Sequence, residues 1–236
     1  MAMGGGALVV AADRLADKVR RVAGVLLEAD PSDIALEDGR AVVAGTDRGV
    51  DLSVVAWHAW RGFDLPEGDS PGLVETHLHD PENLTFPYAT HAAQVAVDRD
   101  TGLVEVERFV VVHDCGTVVN PMIVEGQVHG GVAQGIGAAL YEEISFSEVG
   151  QPMTTTFLDY LIPTSSTVPD LEVERTEHPS PTTPGGMKGV GEGGTIGAPA
   201  AILNAVARAL PEVSDHINDI PLTPSRLWSI LHPDEA

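Results

Sequence analysis

The sequence predicts an α+β fold in which helices are layered on a mixed β-sheet. Two strand-like segments, residues 91–97 and 103–113, flank a polar loop that contains glycine near its end, which is the pattern of a β-hairpin. A long apolar segment then begins at Asn120 and Pro121, an N-cap residue and a favoured first helical residue, and predicts a helix to about Glu143. A chain of 236 residues is long enough to bury a substantial core between such layers.

The N-terminal region predicts a short strand followed by a helix. Residues 7–11 are small or apolar and suggest the strand. Apolar residues then recur at helical spacing, and Asp13 would lie in the first turn, so we expect a helix from about residue 12 to residue 29.

A hairpin and a short helix are predicted next. Residues 34–36 and 41–43 are apolar on either side of a Glu-Asp-Gly turn. Ser53 is the expected N-cap of the helix that follows. That helix carries Trp57 and Trp60, whose large apolar rings we expect in the core.

The later elements are shorter and are separated by Pro- and Gly-rich connectors. We expect strands at residues 73–79, 154–160 and 171–176, and a short final helix over residues 223–230. A helix from about residue 196 to residue 210 is apolar on nearly all sides, which predicts deep burial.

Charge and cysteine content narrow the classes of partner and compartment. A net charge of −22 would repel phosphate, so we expect neither nucleic acid nor an anionic membrane as a partner. The single cysteine, Cys115, excludes an intrachain disulfide and fits a reducing compartment. The sequence predicts neither a membrane span nor a secretion signal, so we expect a cytoplasmic protein.

One carboxylate stands among four glycines at the end of a long Pro- and Gly-rich loop, residues 177–194. Glu192 lies within the run Lys-Gly-Val-Gly-Glu-Gly-Gly, which spans residues 188–194. Glycine permits left-handed backbone angles and lets a ligand approach the main chain closely, which makes Glu192 a candidate functional acid. The alternative is an exposed glutamate on a flexible surface loop.

The helix predicted from residue 120 contains five glycines, although each costs about 1 kcal/mol relative to alanine inside a helix. Gly126 and Gly130 are four residues apart and share one face. That face could contact either a ligand or a neighbouring element, and the local pattern alone favours packing against a neighbouring helix or sheet.

Three other ligand motifs receive only weak support. The glycines of residues 189–194 have the spacing of a dinucleotide fingerprint, but Pro- and Gly-rich residues precede them instead of a buried strand. Lys188 is not followed by the Ser or Thr of a phosphate loop. His77 and His79 would share one face of a strand and could bind a metal, but no third ligand stands at a known spacing.

Several longer motifs occur in a characteristic order. They are VVHDCG at residues 111–116, VNP at 119–121, VEGQVHGG at 124–131, QGIG at 134–137, FLDYLIP at 157–163 and KGVGE at 188–192. Together, from about residue 4 to residue 231, they closely resemble the C-terminal part of the molybdenum-binding large subunit of the xanthine dehydrogenase, aldehyde oxidase and carbon monoxide dehydrogenase family.

The resemblance implies that residues 4–236 form the second molybdopterin-binding domain of such a subunit, after start or tag-like residues 1–3. The implied activity is that of a molybdenum hydroxylase, which oxidises an aldehyde, an N-heterocycle or carbon monoxide with water as the oxygen source. Glu192 matches the family's catalytic glutamate, a general base that takes the proton from a molybdenum-bound hydroxyl group.

The implied cofactor is molybdenum bound to molybdopterin in its cytosine dinucleotide form, with no metal ligand from this chain. Gln127 is expected near the metal centre, and exposed backbone amides suit the cofactor's phosphates. The resemblance places these residues along the cofactor: Gly126, Gln127, Val128, His129, Gly130, Lys188, Gly189, Val190 and Gly191.

The family's large subunits are several times longer than this chain, and the segments that clamp the substrate lie outside the region of resemblance. We therefore expect a split subunit, with the remaining large-subunit portion on a separate chain, an FAD-binding subunit and a [2Fe–2S] iron–sulfur subunit. The isolated chain is expected to be inactive. The alternative is a non-catalytic module for molybdopterin binding or assembly.

Overall fold

The computed structural model describes residues 2–81 and 83–235. The chain divides into two compact units, one of residues 1–82 with 183–185 and the other of residues 83–182 with 186–236. Glu192 and the residues expected along the cofactor all lie in the second unit. Helices and sheets occur together in both units, which confirms the predicted α+β class. The assignment of residues 4–236 to a single domain stays a prediction, and Met1 of the start segment lies outside the described residues.

Within the described residues, the first unit has two α-helices, a short 3₁₀ helix (Pro31–Asp33) and a three-stranded antiparallel sheet in the order β1-β2-β3. Its elements are α1 (Ala2–Leu27), β1 (Ile34–Glu37), β2 (Arg40–Val43), β3 (Gly49–Asp51) and α2 (Leu52–Arg61). The predicted hairpin is confirmed, since Glu37 pairs with Arg40 across a two-residue turn. Asp38 and Gly39 both have positive φ angles, 44° and 78°, as such tight hairpin turns require.

Two local predictions in this unit are wrong. Residues 7–11 continue α1 instead of forming a strand, because Ala7, Leu8 and Ala11 are strong helix formers inside an uninterrupted helix. The segment 73–79 has no regular structure, because it pairs with none of the strands β1 to β3.

The orientation of α2 also differs from the prediction. Asp51 rather than Ser53 is the N-cap residue. Val55 and Ala59, four residues apart, form the buried face of the helix, so Trp57 and Trp60 are turned outward and are 61% and 73% exposed. The two tryptophans are therefore not core residues.

The second unit contains a three-stranded mixed sheet, three α-helices and a 3₁₀ helix (Pro211–His216) in the part of the chain that the structure describes. Its strands are β4 (Tyr88–Val97), β5 (Val104–Asp114) and β6 (Leu171–Thr176), and its helices are α3 (Pro121–Leu140), α4 (Ala198–Ala209) and α5 (Pro224–Leu231). The central strand β5 pairs antiparallel with β4 and parallel with β6, which confirms a mixed sheet. Asn120 caps α3 by accepting a hydrogen bond from the Ile123 amide at 3.2 Å, as predicted.

A β-bulge keeps β5 facing one core. The β4–β5 register shifts after Gln94, which pairs with Arg108, to Val95, which pairs with Val106, so Glu107 is an extra residue. The buried positions on β5 accordingly change from even to odd numbers along the strand. This core contains Phe109 from β5 together with apolar residues of α3 and α4, among them Val128, Ile136 and Ile202.

The strand predicted at residues 154–160 is absent, and this prediction is wrong. Asp159 Oδ2 accepts hydrogen bonds from the amide and the hydroxyl of Thr156, at 3.2 and 2.9 Å. These local side-chain bonds satisfy the backbone in a turn and compete with strand pairing.

The positions of the other strands and helices predicted in this unit are confirmed, with α3 ending at Leu140 instead of about Glu143. The deep burial expected for α4 is wrong, because only Ala198, Ile202 and Val206 are buried and the opposite face is exposed.

No helix in the described part of the chain is both long enough and apolar enough to cross a membrane.

Gly102 offers a test of the contact between the β4–β5 loop and α5. It has a φ of 71°, and a Cβ atom there would overlap the Pro224 carbonyl oxygen and lie 2.8 Å from the Trp228 amide nitrogen. Gly102→Ala is expected to lower the free energy of unfolding by about 2–4 kcal/mol, because left-handed strain and overpacking add. The measurement is urea denaturation of the chain.

Gly150 is the matched control, since its φ is 81° but nothing lies within 4 Å of a Cβ atom there. Gly150→Ala should cost only the backbone strain, about 1–2 kcal/mol. Equal losses for the two variants would show that α5 does not pack on the loop.

Candidate functional site

The segment that we call the Glu192 loop, residues 187–197, leads from the long Pro- and Gly-rich connection into α4. Gly197 is the N-cap residue of that helix. The Glu192 carbonyl accepts hydrogen bonds from the amides of Thr195 and Ile196, at 3.0 and 3.1 Å. Glu192 therefore opens a tight turn directly before α4, and its side chain is exposed.

The start of the loop is anchored on the end of β5. The Lys188 ammonium lies 3.0 Å from Asp114 Oδ1, with side-chain exposures of only 8% and 3% for the pair. The Lys188 amide donates to the Cys115 carbonyl at 2.8 Å. The same ammonium sits 4.5 Å from the centre of the Tyr88 ring, a cation–π contact. Lys188 is thus engaged within the protein, and its side chain is not available for a phosphate.

The Asp114 carboxylate accepts hydrogen bonds from four donors. Oδ1 accepts from the Gly116 amide at 2.9 Å as well as from Lys188. Oδ2 accepts from the Thr176 hydroxyl at 3.1 Å and from His178 Nδ1 at 2.5 Å. Burial by itself would raise the pKa of Asp114, but the hydrogen bonds from Gly116, His178, Lys188 and Thr176 outweigh it and hold that pKa far below its ordinary value. Asp114 is therefore a carboxylate at neutral pH.

The middle and the end of the loop have anchors of their own. Gln127 Nε2, on α3, donates to the Gly191 carbonyl at 3.1 Å. His91 Nε2, on β4, donates to the Gly193 carbonyl at 3.0 Å. Glu192 thus stands between two residues whose carbonyls are bound by different elements of the unit.

The glycines beside Glu192 do not have the left-handed backbone angles that the sequence suggested. None of Gly189, Gly191, Gly193 and Gly194 has a positive φ in the described structure, so the left-handed explanation is wrong. At Gly194 the reason is close packing, because a Cβ there would overlap the Val128 carbonyl oxygen of α3. At Gly191 nothing lies within 4 Å of a Cβ position, and at Gly189 only Pro87 reaches that distance.

Four of the five glycines of α3 fall into two groups. Gly131 lies against the loop, since a Cβ there would be 2.9 Å from Gly194 Cα, and a Cβ at Gly135 would be 2.5 Å from Ala198 Cβ. Gly126 and Gly130 face open space, with nothing within 4 Å. The expected helix packing therefore holds for one pair of glycines but not for the pair that the sequence singled out.

Glu192 is one of the residues that line a cavity of about 420 Å³. Aromatic and apolar residues form much of the rest of its wall, together with His91. The lining residues are Phe86, Pro87, Tyr88, Ala89, His91, Glu192, Gly193, Ile196 and Gly197. A carboxylate beside an apolar wall is an arrangement that can bind a small organic molecule and exchange a proton with it.

The remaining site residues from the sequence prediction lie in different surroundings. Val128 is fully buried in the core, so its side chain supports α3 and does not face the open side. His129 is half-buried and, with Gly130, borders a separate cavity of about 500 Å³ that includes residues 163–165 and 168–171. Val190 is half-buried within the Glu192 loop.

Two residues at the site were missed by the sequence prediction. His91 could not be singled out, because a lone histidine on a strand carries no signal of its own. Asp114 belongs to the HDCG motif, but a carboxylate at a strand end does not reveal which cation it binds 74 residues later. Both contacts are long-range and depend on the fold.

The structure gives no added support to the other ligand motifs. The strand β6 ends at Thr176, so no strand runs into the glycines of the Glu192 loop as a dinucleotide fingerprint requires. The rings of His77 and His79 are 6.4 Å apart and tilted by 52°. Among the described residues, no group of three or more His, Cys, Asp or Glu side chains is placed to hold a metal ion.

Comparisons with known proteins identify the family to which this chain is similar. Residues 1–169 match the family model described as a molybdopterin cofactor-binding domain. The nicotine 6-hydroxylase large subunit of Paenarthrobacter nicotinovorans is 42% identical over 225 residues, which cover 94% of this chain and 28% of that protein. The carbon monoxide dehydrogenase large chain of Hydrogenophaga pseudoflava is 36% identical over 228 residues, which cover 96% of this chain and 28% of that protein.

Solved structures of oxidoreductases are also similar to this chain. A Cu,Mo-CO dehydrogenase in its carbon monoxide reduced state matches with a TM-score of 0.85 and 33% identity, covering 96% of this chain and 28% of that one. Quinoline 2-oxidoreductase from Pseudomonas putida 86 matches with a TM-score of 0.82 and 41% identity, covering 94% and 28%. The chain therefore spans about 28% of the length of these relatives.

The buried Asp114–Lys188 pair leads to a prediction about stability. Asp114→Asn is expected to lower the free energy of unfolding at neutral pH by about 3–5 kcal/mol, because Lys188 then stays buried without a counter-charge. The folded state depresses the pKa of Asp114, so the wild-type contribution is present above the ordinary value of 3.8 and is lost as the pH falls toward the folded-state pKa.

Urea denaturation at a series of pH values from about 7 down to about 2 measures both effects. The Asn variant should show a flatter dependence on pH below about 4 than the wild type. Glu148→Gln, at an exposed position in the turn after α3, is the control and should keep the wild-type slope. An unchanged slope in Asp114→Asn would contradict the proposed contribution of the Asp114 carboxylate to stability.

Proposed function

This chain belongs to the family of molybdopterin cofactor-binding domains, and from that membership we propose that it supplies the catalytic glutamate of a molybdenum hydroxylase. The enzyme would oxidise an aldehyde, an N-heterocycle or carbon monoxide with water as the oxygen source. The observation that carries the proposal is the position of Glu192, which lines a cavity of about 420 Å³ on a loop anchored at Lys188, Gly191 and Gly193.

The residues present fit a large planar cofactor with phosphate groups. Nothing lies within 4 Å of a Cβ position at Gly126, Gly130 or Gly191, so a ligand could approach the backbone there. Within the described residues, no hydrogen bond is donated by the amide groups of residues 189–192. We propose that this open glycine surface holds molybdopterin in its cytosine dinucleotide form, since unpaired amides are good partners for phosphate.

Different residues of this chain have different roles in the proposed reaction. When bound, the cofactor supplies two-electron redox chemistry and the activation of oxygen derived from water. The Glu192 carboxylate accepts the proton of the attacking oxygen, as a general base. Asp114, Gln127 and His91 act through the loop by holding Lys188, Gly191 and Gly193. The apolar residues around Glu192, Phe86 and Ile196 among them, suit a small organic substrate.

The proposal includes partners, because the chain covers 28% of the length of its relatives. We propose that the remaining large-subunit portion completes the site around Glu192. FAD-binding and [2Fe–2S] subunits would carry electrons away from the molybdenum. Substrate selection among aldehydes, N-heterocycles and carbon monoxide would depend on that remaining portion.

Glu192→Gln tests the assignment of the base. The substitution keeps the shape of the side chain but removes its ability to accept a proton, so kcat should fall by about 10²–10⁴-fold. The measurement is dye reduction by the complex with the remaining large-subunit portion, with aldehydes, N-heterocycles and carbon monoxide as substrates. Molybdenum content, measured on the same samples, should stay at the wild-type level.

Glu143→Gln, at an exposed position just after α3, is the matched control and should keep full activity. Near wild-type turnover in Glu192→Gln would rule out Glu192 as the base. A wild-type complex that binds molybdenum but oxidises none of these substrates would favour a non-catalytic cofactor-binding module.

The open glycine face of α3 gives a second test. Gly126→Leu is expected to stabilise the chain by about 0.5–1 kcal/mol, because leucine is a better helix former than glycine and the position is open. The same leucine would occupy the space proposed for the cofactor, so the molybdenum content of the complex should fall several-fold. Urea denaturation and elemental analysis measure the two effects.

Gly131→Ala is the contrasting variant, because its Cβ would lie 2.9 Å from Gly194 Cα. It should destabilise the chain by about 1–3 kcal/mol through overpacking. A stabilised Gly126→Leu variant with full molybdenum content would show that the cofactor lies elsewhere.

A further inference from the structure

His91 links strand β4 to the Glu192 loop at the residue that follows Glu192. Its Nε2 atom lies 3.0 Å from the Gly193 carbonyl oxygen. A carbonyl oxygen only accepts hydrogen bonds, so Nε2 must carry the proton. This bond fixes the position of the 193 carbonyl relative to the sheet.

Close contacts hold the imidazole ring in place. The ring of Phe109, which is completely buried, meets it edge-on with centroids 5.9 Å apart and an angle of 73°. Gly197 approaches so closely that a Cβ there would lie 2.9 Å from Cγ and Nε2 of the ring. Since Gly197 is the N-cap residue of α4, the sheet, the loop and the helix meet at this ring.

The second ring nitrogen determines which form of the ring is present. Nδ1 is buried and has no hydrogen-bond partner among the described residues. A proton there would be a buried donor without an acceptor, which is unfavourable. Burial also lowers the pKa of His91, although the bond to Gly193 opposes this. The ring is therefore neutral at pH 7, with its proton on Nε2.

We propose that His91 is a positioning residue, which directs the Glu192 carboxylate into its cavity by holding the Gly193 carbonyl through the Nε2–H tautomer. The proposal rests on the proposed function, in which Glu192 is the base. Glu192 and Gly193 are adjacent, so a shift of the Gly193 carbonyl displaces the carboxylate as well. A misplacement of about 1 Å in a catalytic group can cost about 100-fold in rate.

Two substitutions separate the hydrogen bond from the volume of the ring. His91→Phe keeps a ring against Phe109 and Gly197 but removes the donor. His91→Gln places an amide N–H the same number of bonds from Cα as Nε2, so it can still donate to the Gly193 carbonyl. A positioning role predicts that Gln restores what Phe removes.

The first measurements use the chain of residues 1–236 without cofactor. In the wild type, nitrogen NMR of the ring should show a proton on Nε2 and none on Nδ1. Hydrogen exchange of the Thr195 and Ile196 amides, which donate to the Glu192 carbonyl, should be at least 10-fold faster in His91→Phe and near wild type in His91→Gln. A proton on Nδ1 in the wild type, or unchanged exchange in a folded His91→Phe, would overturn the proposal.

The second measurement uses the complex with the remaining large-subunit portion. We expect kcat to fall by about 10–100-fold in His91→Phe with KM changed by less than about 3-fold, and to recover in His91→Gln. A Gln variant as impaired as Phe in both kcat and exchange would overturn the proposal, because the ring and not its N–H would then matter.

Failure of the proposed function gives a different pattern. If Glu192→Gln retained its activity, the base assignment would fail, while the exchange and NMR results would still decide whether His91 holds the loop. If Glu192→Gln lost activity but His91→Phe kept normal exchange and kcat, the positioning role alone would be overturned.

Discussion

The buried ion pair between Asp114 and Lys188 is the interaction on which the rest of the site depends. Asp114 ends the central strand of the mixed sheet, and Lys188 begins the Glu192 loop 74 residues later. The Asp114 side chain is only 3% exposed, and four donors stabilise its charge. A chain with 13 basic and 35 acidic residues has few cations to commit in this way. The pair therefore sets where the loop leaves the sheet.

Close backbone packing then sets the course of the loop. Gly131 of α3 and Gly194 of the loop contact each other so closely that no side chain fits at either position. The cost of glycine in the middle of a helix is offset by this contact, which brings the loop against α3. Gln127 and His91 add one hydrogen bond each, on the two sides of Glu192. The exposed glutamate thus stands on a backbone that three elements hold.

Much of the fold could be predicted from local signals. The β4–β5 hairpin, the Asn120 cap and β6 each depend on residues that are near in sequence, and all three were predicted correctly. The strands expected at residues 73–79 and 154–160 do not form. The first segment has no partner strand in its unit, and in the second local hydrogen bonds of Asp159 compete with strand pairing. Trp57 and Trp60 show the same limit, since the identity of the buried face of a helix depends on what packs against it.

The sequence by itself determined the family, through motifs whose order does not depend on coordinates, and it singled out Glu192 and the glycine-rich segments. Tertiary structure decided how those segments are held. It separated Gly131, which packs, from Gly126, which faces open space, although both are glycines of one helix. It also brought His91 within 3.0 Å of Gly193, across 102 residues. Contacts between residues so far apart in the sequence follow from how the strands and helices pack together, and they cannot be predicted from the neighbouring residues.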